Sequence, residues 1–316
     1  MRTKVIYLGL LIALAGFGPM QSQAQQDENV RGAFLTTRPK PSANATKPSA
    51  SSRPSRRRPK ASTANVPANN VTPTTGSAPT TGSTPTASTL RKASPQRLGL
   101  GLTLFMRDSN GLAVRADPSR TFRKGDHVRV LLETNGDGYL YVFNTTDGGQ
   151  PVMIYPDAEL EEAGNFIQGH VPWEIPSSTA AEERLRWFTF DQNSGAEKLY
   201  FVFTREPLPA VPMEDDLVTF CRENKGKCPW QPAADVWAQI RKELDEPVKI
   251  AKAESMGNSQ TKTEHQAATR GIGLNRDDPE PSLIMLTAST NKNMLVATLD
   301  LIHKSEIGTS SPDDQD

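Results

Sequence analysis

The chain has 316 residues, with 36 Lys or Arg balanced by 36 Asp or Glu, and only two cysteines. The balance is not local. Residues 31–97 hold 12 basic and no acidic residues, whereas residues 98–316 hold 22 basic against 34 acidic, a net −12. Two different objects share one chain, and no stretch after the first residues is apolar for the roughly 20 positions that a bilayer-spanning helix needs.

At the start, Arg2 and Lys4 precede a short apolar run from Val5 to Phe17, and Ser22-Gln23-Ala24 is a small-x-small cleavage signal. The pattern predicts a secretory signal peptide over residues 1–24, hence an exported chain, periplasmic or extracellular, without a transmembrane segment after cleavage. An uncleaved anchor is the alternative.

Residues 25–97 read as a disordered basic linker. Ten prolines lie between Arg31 and Arg97 among Ser, Thr and Ala, with too few large apolar side chains to offset the entropy of ordering. The spacer "TTGSAP" recurs as "TTGSTP", two copies that are too few and too polar for a solenoid. Positive charge concentrates between Arg38 and Lys60, and Arg53, Arg56, Arg57, Arg58 and Lys60 are the candidates for binding a polyanion. In an exported chain the expected partner is an anionic envelope polymer or an envelope protein, held in a salt-dependent way. The bland reading is a solvated spacer extended by its own charge, or one lying against the acidic remainder of the chain. No aromatic residues interleave to stack on bases, which argues against specific nucleic-acid recognition.

From Leu98 to Lys304 the patterning predicts a mainly β, antiparallel sandwich-like domain with a helical excursion. "LGLGLTLFMR" places Leu98, Leu100, Leu102 and Leu104 at period two, as in a half-buried strand, and "HVRVLLET" repeats the alternation. "GYLYVFNTT", "PVMIYP" and "EKLYFVFTREP" follow, separated by Gly, Asp, Asn and Pro. In the third strand Tyr139, Tyr141 and Phe143 share one face while Leu140 and Val142 share the other, as expected of an inner strand. Asn135-Gly136-Asp137-Gly138 and Asp147-Gly148-Gly149 could suggest calcium. A calcium loop of the EF type needs alternating oxygen ligands and a Glu about twelve positions from the first, and that position holds Thr146. Hairpin turns are the simpler reading.

These residues carry a resemblance. "GDGYLYVFNTTDGG", then "IYPD", then "YFVFTREPLP", are similar to a bacterial family described only as a domain of unknown function, DUF4384, over about residues 98–209. The resemblance implies a β-sandwich-like accessory module in an exported or envelope-associated protein, in a family sometimes found beside caspase-like peptidase or kinase domains. It brings no catalytic residues. Asp137, Gly138, Tyr139, Tyr155 and Pro156 match its pattern as turn and packing positions.

Residues 212–245 switch to helical spacing. "MEDDLVTFCREN" has acidic residues in its first turn and Leu217, Val218, Phe220 and Cys221 on one face, and "PAADVWAQIRKELD" aligns Val236, Trp237, Ile240 and Leu244. Cys221 and Cys228, with six residues between them in a chain read as exported, point to a local disulfide worth about 2 kcal/mol, with reduced thiols or a metal as alternatives. Residues 249–281 are polar and poorly periodic and read as a mobile insert. "SLIMLTAS" and "NMLVATLDLIHK" read as two strands joined by a hairpin loop at Asn291-Lys292-Asn293, and residues 305–316 as a disordered tail.

No nucleophile elbow, phosphate loop, zinc-protease or dinucleotide fingerprint is present, and no cofactor is implied. His127, His170, His265 and His303 belong to no motif. The leading expectation is a noncatalytic interaction or accessory module of the bacterial cell envelope. Two alternatives stay open: a secreted hydrolase assembled from distant residues, such as His127 or His170 with carboxylates, and a structural envelope protein anchored electrostatically.

Overall fold

The computed structural model describes residues 23–41, 96–158, 164–253 and 255–304. The expected signal peptide apart from its last two residues, the basic residues Arg53 to Lys60 and the tail from residue 305 lie outside them.

The described chain contains thirteen strands, four α-helices and a 3-10 turn at Glu183–Arg186. Helix α1 (Gln23–Leu35) precedes β1 (Gly99–Arg107), β2 (Ala113–Arg115), β3 (Thr121–Phe122), β4 (His127–Thr134), β5 (Gly138–Thr146) and β6 (Val152–Tyr155). Then come β7 (Phe166–Ile167), β8 (Trp173–Ile175), β9 (Phe188–Thr189) and β10 (Gly195–Thr204). Helices α2 (Glu214–Glu223) and α3 (Ala234–Leu244) lead to β11 (Val248–Lys252), α4 (Lys262–Arg270), β12 (Leu283–Thr287) and β13 (Met294–His303).

Two sheets face each other. One has the order β11-β12-β1-β4-β8, with β2 beside β1 and β9 beside β4; the other runs β3-β13-β10-β5-β6, with β7 beside β5. Every pairing is antiparallel except β3 with β13. Alternation sends Leu100, Leu102 and Leu104 of β1 and Val128, Val130 and Leu132 of β4 inward. They meet Leu140 and Val142 of β5, Leu199, Phe201 and Phe203 of β10 and Leu295, Leu299 and Leu301 of β13.

Helices cover both outer faces, so the central strands are buried on both sides. Leu217 of α2 and Val236 and Ile240 of α3 pack on Tyr139, Tyr141, Phe143, Val202 and Val296. This is the two-faced inner strand that the sequence predicts for residues 139–143. Cys221 and Cys228 are disulfide-bonded, with Cα atoms 5.6 Å apart. The bond closes the loop after α2, and Trp230 just beyond it accepts a hydrogen bond from the Met153 amide through its carbonyl, at 2.8 Å. Closing so short a loop is expected to contribute about 2 kcal/mol. A reductant should therefore lower the urea midpoint of the wild-type chain and leave that of Cys221→Ala/Cys228→Ala unchanged.

Three expectations are corrected. The linker expected over residues 25–97 does not begin at residue 25: α1 buries Val30 and Phe34 against Ala251, Ile284 and Leu286, and the turn after it buries Arg38 at 1% exposure. Arg38 therefore leaves the set of charges available to a polyanion. Nor is 249–281 an unstructured insert. It supplies edge strand β11 and helix α4, whose Thr261 and Glu264 form a reciprocal capping box and whose Gly271 closes the helix at φ 65°.

The third correction concerns the expected hairpin at Asn291. Strand β12 pairs with β1 and β11, while β13 pairs with β10 in the opposite sheet. The loop at 291–293 thus crosses from one sheet to the other. β1 is likewise more enclosed than a half-buried strand. Its outward Gly99 and Gly101 lie under Phe34 and Pro281, where an added Cβ would come within 2.9 Å of Phe34 Cδ2 and 2.4 Å of Pro281 Cγ, respectively.

Candidate functional site

Three inward rows on adjacent strands of the second sheet change character at the same end of the sandwich. Leu140 and Val142 are succeeded on β5 by Asn144; Phe203, Phe201 and Leu199 on β10 by Glu197; Leu299 and Leu301 on β13 by His303. Period-two alternation directs all three polar side chains into the space between the sheets. They form one wall of a cavity of about 460 Å³, and Val128, Phe188, Thr189 and Phe190 of the first sheet and its neighbouring loop form the other. The size lies within the range of small-molecule sites, as does the combination of aromatic walls with a few polar groups.

Glu197 Oε2 accepts from Asn144 Nδ2 at 2.7 Å and from Thr146 Oγ1 at 2.9 Å. His303 is 4% exposed and its ring lies 5.2 Å from that of Phe190, which in turn stacks on Phe122 at 4.8 Å. His303 Nε2 and Asn144 Oδ1 are buried with no hydrogen-bond partner among the described residues. Buried polar atoms in native proteins are nearly always satisfied, so two orphans in one cavity wall mark a place where a ligand or water supplies the missing partner. At the mouth, Asp147 adopts φ 51° and accepts from the Ala196 amide at 2.8 Å. Asp191 accepts from the backbone and side chain of Asn193 at 2.8 and 2.7 Å. The possible calcium corner is thus a turn whose carboxylates hold backbone: Asp137 accepts from the Gly169 amide at 2.9 Å.

A second polar cluster sits at the other end of β4. Glu133 accepts two bonds from Arg38, Nε to Oε1 at 2.8 Å and an Nη to Oε2 at 2.7 Å. His170 Nδ1 lies 2.8 Å from Glu133 Oε1 and its Nε2 lies 2.8 Å from Thr37 Oγ1. The remaining guanidinium hydrogens reach the carbonyls of Asn275, Asp278 and Pro279 at 3.1, 2.9 and 3.0 Å. Burial pushes the Glu133 carboxyl up, but the hydrogen bonds and charges of His170 and Arg38 outweigh it and hold the group below the usual carboxylate range. The order hydroxyl, imidazole, carboxylate is that of a nucleophilic triad. Here, however, Thr37 also donates to the Phe34 carbonyl, and Arg38 holds both carboxylate oxygens. The cluster fastens α1 to the sandwich.

The four histidines occupy four settings. His170 belongs to that clasp, His303 to the groove, and His127 Nδ1 lies 2.8 Å from Thr189 Oγ1 beside the groove; His265 is exposed on α4. The sequence does not pair Arg115 with Glu264, yet they meet at 2.5 Å, both buried. Arg129 lies over the Trp187 ring at 4.1 Å and 3.9 Å from Glu174. Burial depresses its guanidinium and Glu174 opposes that effect.

Among the described residues no helix is long and apolar enough to cross a membrane. Residues 121–207 match the sequence model of a family described as a domain of unknown function, DUF4384. No curated protein and no solved structure matches the chain. The matched segment is narrower than the resemblance read from the sequence. It runs from β3 past β10 and contains Asn144, Phe188, Phe190 and Glu197 of the groove, but neither His303 nor Arg38.

Proposed function

We propose that the chain is an exported, noncatalytic interaction module of the bacterial cell envelope whose binding element is the groove between the two sheets. The observation that carries this reading is the convergence there of aromatic walls with buried, unpartnered polar atoms on His303 and Asn144. The internal disulfide and the segregated basic segment fit an exported protein with a tether. The hydrolase alternative loses its best constellation, because the imidazole and carboxylate of His170 and Glu133 are closed under Arg38 and Phe34 of the chain itself.

The test is capture from native envelope extract at low and high salt with three full-length baits. These are the wild-type chain, Glu197→Lys in the groove, and the chain with Arg53, Arg56, Arg57, Arg58 and Lys60 changed to Gln. The module reading expects a partner retained at high salt by the wild type and the tether variant and lost by Glu197→Lys. Capture that needs the five basic residues and vanishes with salt would replace it with electrostatic anchoring.

A further inference from the structure

The groove has a one-sided chemistry. Among the described residues none that lines it is Lys or Arg, while Asp147, Asp191 and Glu197 all face it. The two aspartates are engaged by nearby backbone, but Glu197 lies in an inward row where its only donors among the described residues are the neutral Asn144 and Thr146, and both of those bonds fall on Oε2. An inward carboxylate with no cation beside it among the described residues, at a wall that also bears an unpartnered Asn144 Oδ1 and an unpartnered His303 Nε2, offers acceptors on three adjacent strands when the His303 ring carries its proton on Nδ1. Neighbouring strands are about 4.8 Å apart, a span that a single ammonium covers poorly and a planar fork of five donors covers well. Phe188 supplies ring surface on the opposite wall, against which such a plane can lie.

Resting on the groove as the binding element, the geometry points to a guanidinium group on a short apolar stem as its ligand, seated with the fork toward Glu197 and Asn144 or His303. That chemistry has two sources, an external guanidine and an arginine of the chain's own basic segment.

The full chain would be titrated with butylguanidinium chloride and with its uncharged isostere butylurea, followed by NMR shifts of the groove residues. Butylguanidinium is expected to bind saturably and at least tenfold more tightly than butylurea. Glu197→Gln, which keeps an acceptor for Asn144 and Thr146, should abolish most of that difference without changing the melting temperature. If that variant loses folded dispersion, Asn144→Leu serves in its place and should weaken butylguanidinium at least threefold. Equal affinities of the two probes, or a butylguanidinium affinity indifferent to these substitutions, overturn the guanidinium proposal and leave the groove as a binding element. Failure of both probes to perturb the groove also overturns it, and the interaction-module reading is then decided by envelope capture alone. The chain with Arg53, Arg56, Arg57, Arg58 and Lys60 changed to Gln separates the sources: tighter probe binding than in the wild type assigns the site to the chain's own arginines, and equal binding assigns it to an external guanidine.

Discussion

Arg38→Met is expected to lower the stability of the folded chain by about 3–5 kcal/mol at neutral pH, the range for breaking a buried ion pair from one side. The size follows from what remains. Arg38 and Glu133 have side chains 0% and 3% exposed, so removing the guanidinium leaves a desolvated carboxylate with only His170 beside it, together with three carbonyls that have lost their donor. Adding Glu133→Gln to Arg38→Met should recover part of the loss, because the amide carries no charge to strand. The cycle is read from urea midpoints at constant m-value. A loss below about 1 kcal/mol for Arg38→Met would mean that the turn after α1 is not held as described. The same pair sets an acid limit. Glu133 has a folded-state pKa below its ordinary value, so its contribution is fully present above the unfolded carboxylate range and is lost as pH falls through the depressed folded value. The wild type should thus keep in mildly acidic buffer a stability increment over Arg38→Met, and that increment should shrink as pH drops below about 4.

The strands were readable because alternation is a local property. "HVRVLLET" and "GYLYVF" assign their own faces, and Leu217, Val236 and Ile240 announce the helices that cover Tyr141 and Phe143. Helix α1 was hidden because only Val30 and Phe34 of its exposed-looking sequence are deeply buried, and because Arg38 finds its partner 95 positions away in Glu133. Composition weighs such a segment as linker; a single buried ion pair and two glycines reverse that balance. Helix α4 carried a legible start and stop in Thr261, Glu264 and Gly271, but its buried face is the charged Glu264 with Ala267 and Ala268, which do not register as a hydrophobic stripe. The loop at Asn291 has the right residues for a turn, and nothing local tells whether the strands it joins share a sheet. For the groove a signal did exist. Each of three inward rows ends in a polar residue, Asn144, Glu197 and His303, yet only the pairing of β10 with β5 and β13 shows that these ends coincide.

Gly99→Ala, a change that in an open strand would slightly stabilise the chain by restricting its unfolded state, is expected here to destabilise it by roughly 1–3 kcal/mol. The added methyl would stand 2.7 Å from Leu286 Cδ2, 2.8 Å from Asn135 Cγ and 2.9 Å from Phe34 Cδ2, and the Asn135 side chain cannot yield freely because it accepts from the Gly99 amide and donates to the Arg97 carbonyl. The element able to move is α1. Phe34→Ala should cost about 3–5 kcal/mol as a buried aromatic truncation, and it opens the space into which a methyl at position 99 would project. Gly99→Ala on the Phe34→Ala background should therefore cost at least 1 kcal/mol less than on the wild type, a coupling typical of residues in direct contact. Amide exchange across residues 25–38 separates the two ways of failing. If Gly99→Ala acts by lifting the helix, protection is lost there first and the groove end of the sandwich keeps its own; uniform loss would place the strain in β1 itself. In the first case the segment read as linker behaves as a removable strap on a sandwich whose groove stands without it, so Arg38→Met and Gly99→Ala should both leave butylguanidinium affinity at the groove unchanged under conditions where the sheets stay folded.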